Sequence, residues 1–155
     1  MKLILSAHVL LLDRNERSRR EMAAALRALG IQNVSEAQAP SAADAVLARE
    51  HVDVAVVVAG PESDPVPGQV RRIPAVPGET KILAVLLLGE PGRADIRLAN
   101  SVGYDAVMAL PVSPRILYRR IGSVMQRARR QNRFKHSAAF AGGPGMRAEA
   151  AEAKE

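Results

Sequence analysis

Residues 52–60 of the chain read VDVAVVVAG. The aspartate at 53 is followed by six apolar residues, four of which are valine. An unbroken, β-branched run of this length is typical of a strand that is buried on both faces in the middle of a parallel sheet. We therefore predict a central strand at 53–59, and helices must cover both of its faces.

Four further apolar segments predict the rest of a sheet on either side of this strand. They lie at 8–12, 33–37, 82–88 and 104–110. Apolar residues at helical spacing separate the segments, at 16–29, 42–50, 93–102 and again from 114 onward. Five prolines between 60 and 78 leave room there for only a short helix, which we place at 68–73.

Turn and cap residues support these boundaries. Gly30 and Gly103 follow the last apolar residue of two predicted helices, where glycine commonly ends a helix. Ser113 and Pro114 are suited to the N-cap and the first position of the last helix. Strands that alternate with helices predict a three-layer α/β/α domain with a five-stranded parallel sheet.

The chain of 155 residues is long enough for one ordinary domain. We predict an N-terminal extension at 1–7, the domain at 8–131 and a flexible, Ala/Gly-rich tail at 132–155. No apolar run has the length of a signal-peptide core or of a membrane span, so we expect a cytoplasmic protein.

Several kinds of chemistry are excluded or disfavoured by composition. The chain has no cysteine, which excludes disulfides, thiolate metal sites and cysteine nucleophiles. No glycine-rich phosphate loop follows a strand, and the three histidines lack metal-ligand spacing. We therefore expect neither a cofactor nor a metal site.

Three stretches taken in order resemble the receiver domain of bacterial two-component response regulators. They are HVLLLDRNE at 8–16, VDVAVVVAG at 52–60 and GYDAVMALPVSP at 103–114. The resemblance covers about residues 8–131 and implies a flavodoxin-like sheet in the order 2-1-3-4-5. It also implies a phosphorylation site at the carboxyl ends of the strands, with an aspartate nucleophile, paired acidic residues for Mg²⁺, a hydroxyl and a lysine.

The positions that match this phosphorylation site carry residues that cannot perform the chemistry. The acidic pair corresponds to Asp13 and Arg14, the nucleophile to Val58, the hydroxyl to Leu88, the lysine to Leu110, and the switch aromatic to Val107. Asp53 begins its strand, more than about 15 Å from the nucleophile position at about 3.3 Å per residue, and so cannot replace it. We predict a degenerate receiver that is not an enzyme, with the former pocket converted into core.

Arg14 permits two interpretations. Its guanidinium could pair with Asp13 or Glu16 and fill the space of the metal ion. The alternative, which we favour, is a solvated arginine at the start of a helix.

The net charge of +6 is concentrated near the carboxyl terminus, where no acidic residue occurs between Asp105 and Glu149. The predicted interaction surface is the outer face of the last helix and the start of the tail, with Arg115, Arg119, Arg129, Arg130, Arg133, Phe134 and Phe140. We predict a protein-interaction module that binds a signalling partner or itself through the face formed by the helix at 93–102, the strand at 104–110 and the last helix, and the basic last helix favours an acidic partner. Two alternatives stay open: nucleic-acid binding by the last helix and tail, and, with less support, a small ligand or a reaction in the apolar pocket.

Overall fold

The computed structural model describes residues 2–59 and 82–131. The chain divides into two compact units, Met1–Val124 and Met125–Glu155. Of the second unit, residues 125–131 are described, and they are helical. The predicted helix at 68–73, the predicted tail at 132–155 and the candidate residues Arg133, Phe134 and Phe140 lie outside the described residues, and the boundary at 131 stays a prediction.

Five strands form one parallel sheet in the order β2-β1-β3-β4-β5. The strands are β1 (His8–Leu12), β2 (Asn33–Ala37), β3 (Val54–Ala59), β4 (Leu83–Gly89) and β5 (Ala106–Leu110). The valine-rich segment that predicted a central strand is β3, which pairs with β1 on one side and with β4 on the other. The predicted fold class and strand order are confirmed.

The described helices are α1 (Lys2–Leu5), α2 (Glu16–Ala28), α3 (Pro40–Arg49), α4 (Arg93–Ser101) and α5, which begins at 114 and is described as far as 131. The helices α2, α3 and α4 connect strands that follow one another in the sequence, whereas α1 precedes β1 and α5 follows β5. Gly30 and Gly103 have φ angles of +114° and +109°, so the predicted glycine stops are confirmed. The hydroxyl of Ser113 accepts a hydrogen bond of 3.2 Å from the Ile116 N–H, which confirms the predicted cap of α5.

The core of the first unit is aliphatic, and strand alternation divides it between the two faces of the sheet. Leu10, Val57 and Leu86 belong to one buried cluster, which α3 and α4 help to cover. The residues between them in the strands point to the other face. On the helices of the first unit, Leu26, Leu117 and Ile121 are fully buried.

The first seven residues are not an extension outside the domain, and that prediction was wrong. Ile4 of α1 is fully buried, and its Cδ1 atom lies 3.9 Å from the position that a Cβ atom would occupy on Gly122. The Leu5 side chain packs on Gly30, where an added Cβ atom would come within 2.7 Å of Leu5 Cδ2. The segment is too short to show a helical period, but its apolar residues still gain by leaving water.

None of the helices in the described part of the chain combines the length and the hydropathy that a membrane span requires.

Candidate functional site

The strand register brings the predicted pocket positions to the carboxyl edge of the sheet. Leu12 pairs with Val57, so the residues that follow them, Asp13 and Val58, lie at one level. Leu88 and Leu110 occupy the last two levels at which β4 pairs with β5. Ligands bind at this edge in doubly wound α/β domains.

The three apolar residues at these positions are half-buried, and Leu88 packs against the buried cluster. Val58, Leu88 and Leu110 each keep part of their surface in solvent. They lie where the strands end, so neighbouring strands and helices cover them only in part. The carboxyl edge therefore presents aliphatic surface at these three predicted pocket positions. The switch position, Val107, is also half-buried and pairs with Leu86 inside the sheet.

Asp13 is the one acidic residue retained from the predicted phosphorylation site, and its hydrogen-bonding partners are local. The side chain is almost buried, with 7% of the residue exposed. Its Oδ1 atom accepts a hydrogen bond of 3.0 Å from the Asn15 N–H, and its Oδ2 atom accepts one of 2.7 Å from the Ser18 hydroxyl. Asn15 in turn caps α2 by accepting from the Ser18 N–H at 2.9 Å. The carboxylate thus fixes the turn between β1 and α2.

A buried arginine on α2 completes this turn. Arg19 is 7% exposed, and its Nη1 atom donates a hydrogen bond of 3.1 Å to the main-chain carbonyl of Asp13. Its Nε atom donates to Glu36 Oε1 on β2 at 3.2 Å, and Arg27 lies 3.6 Å from the other oxygen of Glu36. The buried guanidinium therefore has charged and neutral acceptors on two strands, as buried charges require.

Arg14 is exposed to solvent, as the favoured interpretation predicts. Among the described residues it forms no ion pair with Asp13 or Glu16. Glu16 instead lies 4.0 Å from Arg19 and 3.5 Å from Arg20. The guanidinium of Arg14 therefore does not take the place of a metal ion beside Asp13.

The residues described at this edge do not fit Mg²⁺, which prefers six oxygen ligands with one or two carboxylates among them. Each carboxylate oxygen of Asp13 accepts a hydrogen bond from a protein donor. The next residue, where the resemblance implies a second acid, is the cation Arg14. No group of three or more histidine and acidic side chains in the described ranges is arranged to hold a metal ion.

A polar cluster that the sequence analysis missed lies at the opposite, amino-terminal edge. Asp53 Oδ2 accepts a hydrogen bond of 2.8 Å from the His8 N–H, and its Oδ1 atom lies 3.2 Å from Nε2 of His51. The His8 ring lies 2.8 Å from the His51 carbonyl and 2.7 Å from the Ser35 hydroxyl. The aspartate that precedes the valine run, and the histidine that starts β1, were the available signals. These contacts join β1, β2 and the segment before β3.

The face formed by α4, β5 and α5 carries exposed apolar side chains. Ile96 and Leu98 on α4 are 39% and 51% exposed, and Ile116 at the start of α5 is 54% exposed. Only Ala99 among the nine residues of α4 is buried. The described arginines of the predicted interaction surface, Arg115, Arg119, Arg129 and Arg130, are all exposed.

Comparisons with known proteins agree with this architecture. No family model matches the sequence, and no curated protein matches it. Among solved structures, the CheY-like response regulator receiver domain protein from Methanospirillum hungatei is similar, with a TM-score of 0.69 and 17% identity over 81% of this chain and 98% of that chain. The chemotaxis protein CheY4 from Vibrio cholerae has a TM-score of 0.69 and 18% identity over 77% and 98% of the two chains.

The response regulator HP1043 of H. pylori, described as an orphan, is also similar, with a TM-score of 0.65 and 20% identity over 77% of this chain and 96% of that chain. Structural matches at identities this low establish the fold, but the chemistry has to be argued from the residues at the site. The sheet order and these structural matches together confirm the resemblance that three short stretches predicted: the chain has the CheY-like, flavodoxin-like fold of response regulator receiver domains.

Proposed function

We propose that this chain is a pseudo-receiver, a signal-transduction module that binds a protein partner without being phosphorylated. The observation that carries the proposal is the set of residues at the carboxyl edge. Val58, Leu88 and Leu110 offer no nucleophile, hydroxyl or ammonium group there. Catalysis of phosphoryl transfer depends on positioned charge, and these three positions supply none.

The retained acid supports the same conclusion. In a phosphorylated receiver the acidic pair is needed for the metal ion, so its side chains must be free to face that ion. Asp13 here accepts hydrogen bonds from Asn15 and Ser18 and is nearly buried. These contacts support a structural role for Asp13 in the turn before α2.

The face of α4, β5 and α5 is the proposed binding surface. A helix that buries one residue in nine and exposes Ile96 and Leu98 leaves apolar area that a protein partner, or a second copy of the chain, would cover. Interfaces take most of their binding free energy from a few such side chains. The neighbouring Arg115 and Arg119 favour an acidic rim on the partner.

Phosphorylation is tested by incubating the full chain with acetyl phosphate and Mg²⁺ and measuring its intact mass over time. The receiver domain from Methanospirillum hungatei, treated in parallel, controls for the activity of the donor. We expect the mass of this chain to stay unchanged. A stoichiometric gain of one phosphoryl group would overturn the proposal.

The binding surface is tested by Leu98→Asp, measured as self-association by sedimentation velocity and as recovery of specific partners from the native cell. Ala24→Asp, at an exposed position on α2, is the matched control. We expect Leu98→Asp to abolish the association and Ala24→Asp to preserve it. Equal association of both variants would exclude this face.

A further inference from the structure

The described part of α5 carries six arginines, and all six are exposed. The first unit contributes Arg115, Arg119 and Arg120, and the second contributes Arg127, Arg129 and Arg130. No aspartate or glutamate occurs in the sequence between Asp105 and Glu149. Among the described residues, no carboxylate lies within ion-pair distance of any of the six, whereas Arg17, Arg19, Arg20 and Arg27 of α2 all have acidic partners.

Within each group the charges are close enough to repel one another. Arg115 and Arg119 are four residues apart on the helix, and Arg127 and Arg130 are three apart. Side chains at these spacings are neighbours on the helix surface, and like charges there destabilise the helix. A bound anion would relieve this repulsion, so the arrangement of the arginines favours the binding of an anion although it lowers the stability of the free helix.

The neutral side chains beside the arginines indicate the kind of anion. Ser123, Gln126 and Gln131 are exposed on the same helix and can donate or accept hydrogen bonds. Ile116 is the one large apolar side chain exposed on the described part of α5. A lipid surface requires a broad apolar face on the helix, but Leu117 and Ile121 are buried and unavailable for it. The core of a protein interface is likewise rich in aromatic and apolar anchors.

We propose that the arginines of α5 bind the phosphodiester backbone of a nucleic-acid duplex, without sequence preference, and that each group of three forms a site of its own. Arginine, serine and glutamine are among the side chains that contact phosphate and sugar oxygens. Arginine suits phosphate because its planar guanidinium donates two parallel hydrogen bonds. Tyr118 is the one aromatic residue in the described part of α5, and it is half-buried, so the helix offers little surface for stacking on unpaired bases, which favours a duplex over a single strand. This function is additional to the proposed protein interaction and does not depend on it.

The proposal predicts a steep dependence on salt. Each phosphate that a cation neutralises releases counterions, so the logarithm of the association constant falls against the logarithm of salt concentration with a slope of about −0.9 per contact. Three contacts contribute about −2.7 to the slope, so removing one group of three flattens it by about that amount. The contribution of each group to the salt dependence can therefore be measured separately.

The test uses the full chain and a fluorescent, random-sequence DNA duplex of 20 base pairs, with binding followed by anisotropy between 50 and 200 mM salt. One variant changes Arg115, Arg119 and Arg120 to glutamine, and another changes Arg127, Arg129 and Arg130. The control changes Arg17, Arg20 and Arg93, which are exposed elsewhere, and so removes the same net charge. Circular dichroism checks that each variant is folded.

We expect the two α5 variants to weaken binding at least tenfold at 100 mM salt and to flatten the slope, while the control keeps the wild-type slope. The absence of binding at 50 mM salt would overturn the proposal, as would an equal loss in the control. Polyglutamate that competes as well as unlabelled duplex would also overturn it and would assign the surface to acidic proteins.

Discussion

The Ser18 hydroxyl donates a hydrogen bond of 2.7 Å to Oδ2 of Asp13. The donor comes from the first turn of α2, and the acceptor is the carboxylate that a phosphorylated receiver would turn toward a metal ion. Because Asp13 is nearly buried, losing this donor leaves an acceptor that water reaches poorly. The hydrogen bond between Ser18 and Asp13 therefore contributes to the stability of the turn between β1 and α2.

Ser18→Ala is expected to lower the free energy of unfolding by about 1 to 2 kcal/mol, since it removes a hydrogen bond to a charged group. Ser123→Ala is the control, because Ser123 is an exposed helical serine for which no hydrogen bond is found among the described residues. Urea denaturation measures both variants. Equal stabilities would show that the Ser18 hydroxyl contributes nothing to the turn.

Arg19→Ala is expected to lower the free energy of unfolding by about 2 to 4 kcal/mol, because it leaves Glu36 and the Asp13 carbonyl without their main donor. Arg27 still lies near Glu36, which moderates the loss. Arg17→Ala on the same helix is the control: its pair with Glu21 is almost fully exposed, so we expect a change within about 0.5 kcal/mol. A loss for Arg19→Ala no larger than that of the control would contradict the buried network.

Ile4→Ala is expected to lower the free energy of unfolding by about 2 to 4 kcal/mol through lost burial and the cavity that it leaves. The same change at Ile116, where 54% of the residue is exposed, is expected to cost less than about 1 kcal/mol. Thermal and urea unfolding of both variants compare the two positions. Similar losses at both would mean that α1 does not belong to the core.

Stability is expected to fall above pH 10, in part because of Tyr104. Burial raises the pKa of Tyr104 well above its ordinary value of 10.0. The unfolded chain therefore ionises this phenol first, and the contribution of Tyr104 to stability, complete below pH 10, is lost as the pH rises toward the folded pKa. Urea unfolding at pH 8 and pH 11 measures the loss. Between pH 8 and pH 11, Tyr104→Phe should lose less stability than Tyr118→Phe. Equal losses in the two variants would show that the ionisation of Tyr104 is not a cause.

Most of the fold could be predicted because it depends on the periodicity of apolar residues and on the residue types at turns and helix ends. The valine run fixed a central strand, and Gly30, Gly103 and Ser113 marked helix ends that the structure reproduces. Residues 2–7 were misassigned because four helical residues are too few to display a period. Ile4 packs near Gly122, which is remote in sequence.

The site was predictable in position and less so in its contacts. The predicted strand ends placed Asp13 and Val58 at the same edge of the sheet, and the pairing of Leu12 with Val57 agrees with this. Arg19, Ala23 and Leu26 follow the spacing of a buried helix face, but the charge of arginine argues against burial. Its acceptor Glu36 lies on another strand, and only the tertiary fold brings the two together.

The way in which Ser18 and Asn15 hold Asp13 also determines how hard it would be to engineer phosphorylation into this chain. Val58→Asp would place a carboxylate level with Asp13, but the residue next to Asp13 would still be Arg14 and position 110 would still be a leucine. Releasing Asp13 for a metal ion would first dismantle the turn before α2. Under the proposed function, a gain of activity would therefore require several changes at once, and the change at Asp13 would also remove contacts that hold the turn.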